Sequence, residues 1–152
     1  MRFWATILLI MIVDQLSKFW VAKEMVLNNS IPLINGIFSL TYILNRGAAF
    51  GILQGKSWFF LTMATLIVIA MIYYHLKYSP PRWVEYAMGL IVGGTIGNVI
   101  DRWYYGAVRD FFSIGWFPVF NVADMAIVTG GALLILYLFL NDPGKEPQSL
   151  NR

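Results

Sequence analysis

Two aspartates, Asp110 and Asp124, lie in the stretch VRDFFSIGWFPVFNVAD, which is otherwise almost wholly apolar and aromatic. A free carboxylate is costly in such surroundings unless it is paired or put to use. Asn121 stands three residues before Asp124, and the same device, Asn98 three residues before Asp101, closes the earlier run GLIVGGTIGNVIDRW. Two carboxylates that share a site do not both ionise cheaply, so one keeps a proton near neutrality. The ionised member can then take a proton from water, and the protonated one can polarise a carbonyl and assist a leaving amine. That chemistry is peptide hydrolysis with no covalent enzyme intermediate, and it calls for no metal or cofactor. It also suits a chain with no cysteine and a single histidine, His75, which excludes a thiol nucleophile, a disulfide framework and a thiolate metal site.

The elements that must position these groups are membrane spans. Of 152 residues, 59% are hydrophobic and only 12% charged, far from the balance of a soluble domain. Apolar segments over about 3–22, 57–76, 83–103 and 119–140 each approach the ~20 residues that cross ~30 Å of hydrocarbon as a helix. The first is read as a retained span and not as a cleaved leader, because it contains Asp14 and Lys18 and no small-residue cleavage site follows. The expected fold is therefore mainly α, one integral membrane domain of four transmembrane helices. The net charge of +3 is scattered, which leaves no stripe for nucleic acid.

Four spans put both termini on one side. The short basic turn HLKYSPPR suits the cytoplasm, so the termini are expected there. The long first connection, about 27–55, should carry a small extracytoplasmic β-sheet between the first and second spans. Phe38, Leu40, Tyr42 and Leu44 alternate with Ser39, Thr41, Ile43 and Asn45, and Asn35-Gly36 reads as a hairpin turn before them. The tail, about 142–152, is polar with two prolines and is expected to be disordered.

Polar residues inside spans are candidates for function. Asp14 and Lys18, four apart, share a helix face and can neutralise each other. Gly93 and Gly97 form a small-xxx-small face widened by Gly94, which reads first as helix packing. Asn98, Asp101 and Arg102 end the third span. Arg102 can pair with Asp14 or Asp101, and a structural network and a ligand contact both remain open. Asp110 rides on the loop from Trp103 to Phe117, which returns the chain to the same membrane face. Pro118 is placed to help start the fourth helix. Phe111, Phe112, Trp116 and Phe117 form an aromatic group suited to the interface or to holding lipid.

Five ordered pieces, DQLSK (14–18), NRGAAF (45–50), GGTIGNVIDR (93–102), VRDF (108–111) and FNVAD (120–124), make the chain resemble bacterial lipoprotein signal peptidase, also called signal peptidase II. The resemblance covers nearly the whole chain. It implies an aspartic endopeptidase of the bacterial inner membrane, with its site near the outer face. Its substrate would be a diacylglyceryl-modified prolipoprotein, met in membrane lipid and cut just before the lipidated cysteine. Asp110 and Asp124 would be the catalytic pair. Asp14, Asn45, Asn98, Arg102 and Asn121 would line or brace the pocket, with Lys18, Gly97 and Asp101 in the same motifs. It further implies inhibition by globomycin, a cyclic lipopeptide. A monomer suffices, since one chain supplies both aspartates. Arg46 departs from the motif, where a small or uncharged residue is usual, and the two aspartates are only 124 − 110 = 14 positions apart. A proton-coupled transporter or channel is the rival reading. It would want charges spaced through the membrane depth, whereas most of these gather at the ends of the third and fourth spans. A structural adaptor would not need five costly polar motifs.

Overall fold

The structure, a computed structural model, describes residues 1–47 and 52–141. The end of the NRGAAF motif (48–50) and the tail from 142 lie outside the described residues. The chain runs α1 (Arg2–Glu24), β1 (Ser30–Ile34), β2 (Phe38–Asn45), α2 (Ser57–Tyr78), α3 (Arg82–Tyr105), β3 (Val108–Ile114) and α4 (Val122–Leu140). All four helices are long and apolar enough to cross a membrane. Their outward side chains, such as Leu8, Leu16, Phe19, Leu66, Ile69 and Ile135, are exposed. An apolar girdle of this size is what a bilayer covers.

α3 is the centre of the bundle, packed between α1 and α4, while α2 packs on α3 and has no buried residue of its own. The glycines explain how α3 serves two partners. A Cβ on Gly93 would lie 3.0 Å from the Ile7 carbonyl oxygen of α1, and one on Gly94 would strike the Ala123 carbonyl of α4. Close helix approach at small residues is how spans associate without a hydrophobic drive between them. Phe3, Ile7, Val84, Met88 and Val92 fill the α1–α3 interface.

The sheet is antiparallel in the order β1-β2-β3. The first two strands are the expected hairpin, closed by the Ile37 N–H donating to the Ile34 carbonyl at 3.0 Å, with Gly36 at φ +73°. Asn35 has no positive φ, so the turn is not the mirror-image type that Asn-Gly often marks. The third strand corrects the sequence expectation. Residues 108–114, read as loop, pair with β2, and Asp110 sits in the strand opposite Ile43. The sequence VRDFFSI hid this because both faces of its first half are buried, so it shows no period of two. Between Leu40 and Ile43 the β2–β3 register shifts, a bulge placed beside the polar groups. Phe111 is buried at 2% against Val21 and Met25, and ties the end of α1 to the sheet. It is a core residue and not part of an interfacial group, whereas Trp116, at 85% exposure, does face outward.

α4 begins at Val122, later than expected, and Pro118 lies outside it. Asn121 is the N-cap. Its Oδ1 accepts from the Asp124 N–H at 2.9 Å, and the Asp124 carboxylate accepts from the Asn121 N–H at 3.2 Å. This reciprocal capping box fixes both side chains at once. Replacing Gly94 by Val should force α3 off α4 and cost about 1–3 kcal/mol, the range for overpacking. A lower unfolding midpoint in detergent is the expected readout, and an unchanged midpoint would contradict the packing described.

Candidate active site

The polar residues divide into two layers. The deeper layer is a closed charge network among α1, α3 and β3. Lys18, wholly buried, donates to Asp14 Oδ2 and to Asn98 Oδ1, both at 2.9 Å, and its Nζ lies 3.6 Å from Asp101. Arg109 clamps Asp101 with Nη2 at 2.7 Å, Nε at 3.1 Å and its own backbone N–H at 2.9 Å. Gln15 donates to Asp14 at 3.0 Å and Asp101 at 3.3 Å, and accepts from Arg109 at 3.1 Å. Asp14 Oδ1 also accepts from the Ala123 N–H at 3.0 Å, so a residue of α1 satisfies a free donor at the start of α4. Two acids and two bases cancel here, the arrangement that makes buried charge tolerable. Gly97 belongs to this layer, since a Cβ there would strike the Asp14 carboxylate.

The second layer faces a cavity of about 500 Å³. Asp110 comes from β3 and Asp124 from the first turn of α4. The chain between them folds back so that Phe120 pairs with Phe112, which sets Asn121 beside Asp110. Asn121 Nδ2 donates to Asp110 Oδ1 at 2.6 Å, while Asn121 also caps Asp124. A single amide side chain thus spans the two acids. Asn45 Nδ2 donates to the other Asp110 oxygen at 2.9 Å. It reaches diagonally across the strands, because Asp110 stands opposite Ile43. Asn98 Nδ2 donates to Asp124 Oδ1 at 2.8 Å. Arg102 lines the same cavity, its guanidinium 4.8 Å from the Phe60 ring centre and donating to the Gly47 carbonyl at 3.3 Å. The rest of the wall is apolar, including Phe117, Phe120, Ile127 and Val128.

Burial, then the charge of Asp124, pushes the Asp110 carboxyl from its ordinary 3.8 up to about 7, against the pull of the Asn45 and Asn121 amides. One carboxyl ready to hold a proton beside another, at the wall of a cavity, is equipped to activate water and polarise a carbonyl.

The sequence matches the family model described as Signal peptidase (SPase) II over residues 6–140. It is 46% identical to a lipoprotein signal peptidase of Syntrophomonas wolfei over 96% of this chain and 98% of that one. A lipoprotein signal peptidase of Halothermothrix orenii is 42% identical over 88% and 92% of the two chains. A solved bacterial membrane enzyme superposes with a TM-score of 0.88 at 32% identity, covering 96% of this chain and 92% of that one. The chain belongs to the signal peptidase II family.

It is thus a multi-pass membrane peptidase, and the residues singled out in its sequence can be placed within that enzyme. Asn45, Asn98, Arg102, Asp110 and Asp124 meet at the cavity of this signal peptidase II family member. Asn121 bridges the acids from behind, and Asp14, Lys18, Gly97 and Asp101 lie in the deeper layer. The expected pairing of Arg102 with Asp14 or Asp101 is replaced. Lys18 and Arg109 hold those acids, which frees Arg102 for the cavity. Arg109 and Gln15 were not assigned a role from sequence. Their signal was adjacency, Gln15 inside DQLSK and Arg109 next to Asp110 in VRDF. The two Asn-x-x-Asp pairs look alike but differ, since one is a capping box and the other lies inside a helix.

Arg109→Met would leave Asp101 buried without its main partner. A stability loss of about 3–5 kcal/mol is expected, read as a lower unfolding midpoint in detergent. Arg109→Met combined with Asp101→Asn should lose clearly less. Equal losses in the single and double variants would show that the ion pair is not what holds this corner.

Proposed function

We propose that this protein is the aspartic endopeptidase that removes signal peptides from bacterial prolipoproteins, cutting just before a cysteine that carries diacylglycerol. The observation that carries the mechanism is the convergence of Asp110 and Asp124, through Asn121, on one largely apolar cavity. Asp110 holds the proton and Asp124 serves as the base. Asp124 takes a proton from water as the water oxygen bonds to the scissile carbonyl carbon, and Asp110 gives its proton to the carbonyl oxygen. Collapse of that tetrahedral species breaks the C–N bond as the amine gains a proton from Asp124, and the hydroxyl proton returns to Asp110. Arg102, Asn98 and Asn45 orient the acids and the backbone of the substrate, and the aromatic wall receives lipid and apolar side chains. The same wall suits a cyclic lipopeptide inhibitor of the globomycin kind. The enzyme sits in the inner membrane with both termini cytoplasmic and the sheet and cavity at the outer face, so that a lipidated substrate enters sideways from the bilayer. A monomer carries out the reaction. A proton relay is a poorer reading, because the deeper charges already satisfy one another.

Cleavage of a diacylglyceryl-modified prolipoprotein peptide tests this directly. Asp110→Asn and Asp124→Asn should each lower the rate by about a hundred- to ten-thousand-fold while the unfolding midpoint stays near that of the parent. Substantial cleavage by either folded variant would remove that residue from the pair. The pH profile is a second test. Asp110 is protonated below about 7 and loses its proton above, so kcat/KM should fall on the alkaline side with a midpoint near that value. Asn45→Ala removes a hydrogen bond that favours the charged form, so it should move the alkaline limb to higher pH. A limb that stays in place, or moves down, would contradict the assignment of the proton to Asp110.

A further inference from the structure

A second cavity, of about 320 Å³, lies at the opposite end of the bundle, lined by Ala70, Met71 and Tyr74 of α2, Met88 of α3, and Leu134 and Leu138 of α4. It repeats the plan of the site cavity, which has Phe60 of α2 and Ile127 and Val128 of α4 as walls and α3 as floor. The reason is the way α2 is held. Both α2 and α4 pack on α3 and scarcely touch each other. Near the site α2 is fastened by Ser57, whose hydroxyl donates to the Gly106 carbonyl at 3.1 Å. At the far end His75 stacks on Phe3 at 4.2 Å and comes within 3.9 Å of Glu85. Between these ties the Arg102 guanidinium lies over the Phe60 ring at 4.8 Å, and beyond it the contacts with the bundle are apolar, through Val68, Met71 and Ile72. The seam of α3 between α2 and α4 therefore has the candidate acids at one end and the second cavity at the other.

We propose that this seam is a track for the apolar helical segment that precedes the cut, and that the far cavity seats that segment's amino-terminal side chains. The inference rests on the peptidase reading above and extends it to a second recognition site remote from the chemistry. Length supports this occupant. Asp124 and Leu138 are 138 − 124 = 14 residues apart on α4, about 21 Å at the helical rise. That is the length of a signal-peptide apolar region, about 7–15 residues. Continuity supports it too, since the same two walls and the same floor bound both cavities. The far cavity then acts on binding and leaves the acids untouched.

The test compares two lipidated substrates, one with its full apolar segment and one shortened to the few residues before the cut. Ala70→Trp fills the far cavity from α2, and Leu138→Trp does so from α4. Ile69→Trp, on the exposed face of α2 outside the cavity, is the control. Filling should raise KM for the long substrate about tenfold, the effect of unseating one well-buried apolar side chain, with kcat unchanged. The short substrate should be cut equally by all four proteins, which also shows that the variants are folded. If the filled variants cut the long substrate as the parent does, the track is refuted. If filling affects both substrates alike, the cavity holds a bilayer lipid or braces the fold, and the track is again refuted. In each of those cases the peptidase reading stands. If the parent cuts neither substrate, that reading fails and takes this one with it.

Discussion

The Lys18 ammonium is the constraint on which the site depends. It is fully buried and must spend its donors on fixed acceptors, which are Asp14, Asn98 and the charge of Asp101. Its bond to Asn98 Oδ1 decides which way that amide faces. With the oxygen committed to Lys18, only the NH₂ is left for Asp124, and it donates there. Asn121 is set in turn, since its Nδ2 lies 3.2 Å from the same Asn98 oxygen and donates to Asp110. One cation on α1 thus orients two amides on α3 and at the start of α4, and through them both candidate acids. Neither acid touches Lys18.

This separation of layers has an energetic logic. A carboxylate that must exchange a proton cannot also be held by a close cation, because that would lock it in the charged form. The cations nearest the network, Lys18 and Arg109, are taken up by Asp14 and Asp101. The acids at the cavity receive amides instead, which orient a carboxylate without setting a full positive charge against it. Arg102 is the one cation left at the cavity wall among the described residues, and its guanidinium is stacked on Phe60 and held by the Gly47 carbonyl.

Much of this was legible in the sequence because membrane helices obey strong rules. Four spans follow from length and hydropathy, the first hairpin follows from a period of two, and costly polar groups in apolar segments announce the site. What escaped were features that depend on tertiary contact. The buried strand at Val108–Ile114 has no alternation to read. Arg102, next to Asp101 in sequence, was the cation read as its partner, and only the strand turns Arg109 onto that acid instead. Asn121 looked like a second copy of Asn98, although it is a helix cap, and a cap can be recognised only once the helix is known to begin at Val122 rather than near Pro118.

That cap bears on why the two acids differ. Asp124 is the third residue of α4 and accepts the Asn121 N–H, at the helix end where exposed N–H groups and the macrodipole favour negative charge. Asp110 lies in a strand, which supplies no such field, and is 1% exposed. Burial therefore weighs on Asp110 without an offset from the backbone, and the neighbouring charge of Asp124 adds to it. The two acids therefore sit in different backbone settings before any substrate arrives. A strand and a helix N-terminus, brought together by the Phe112–Phe120 pairing, place two identical side chains in different surroundings.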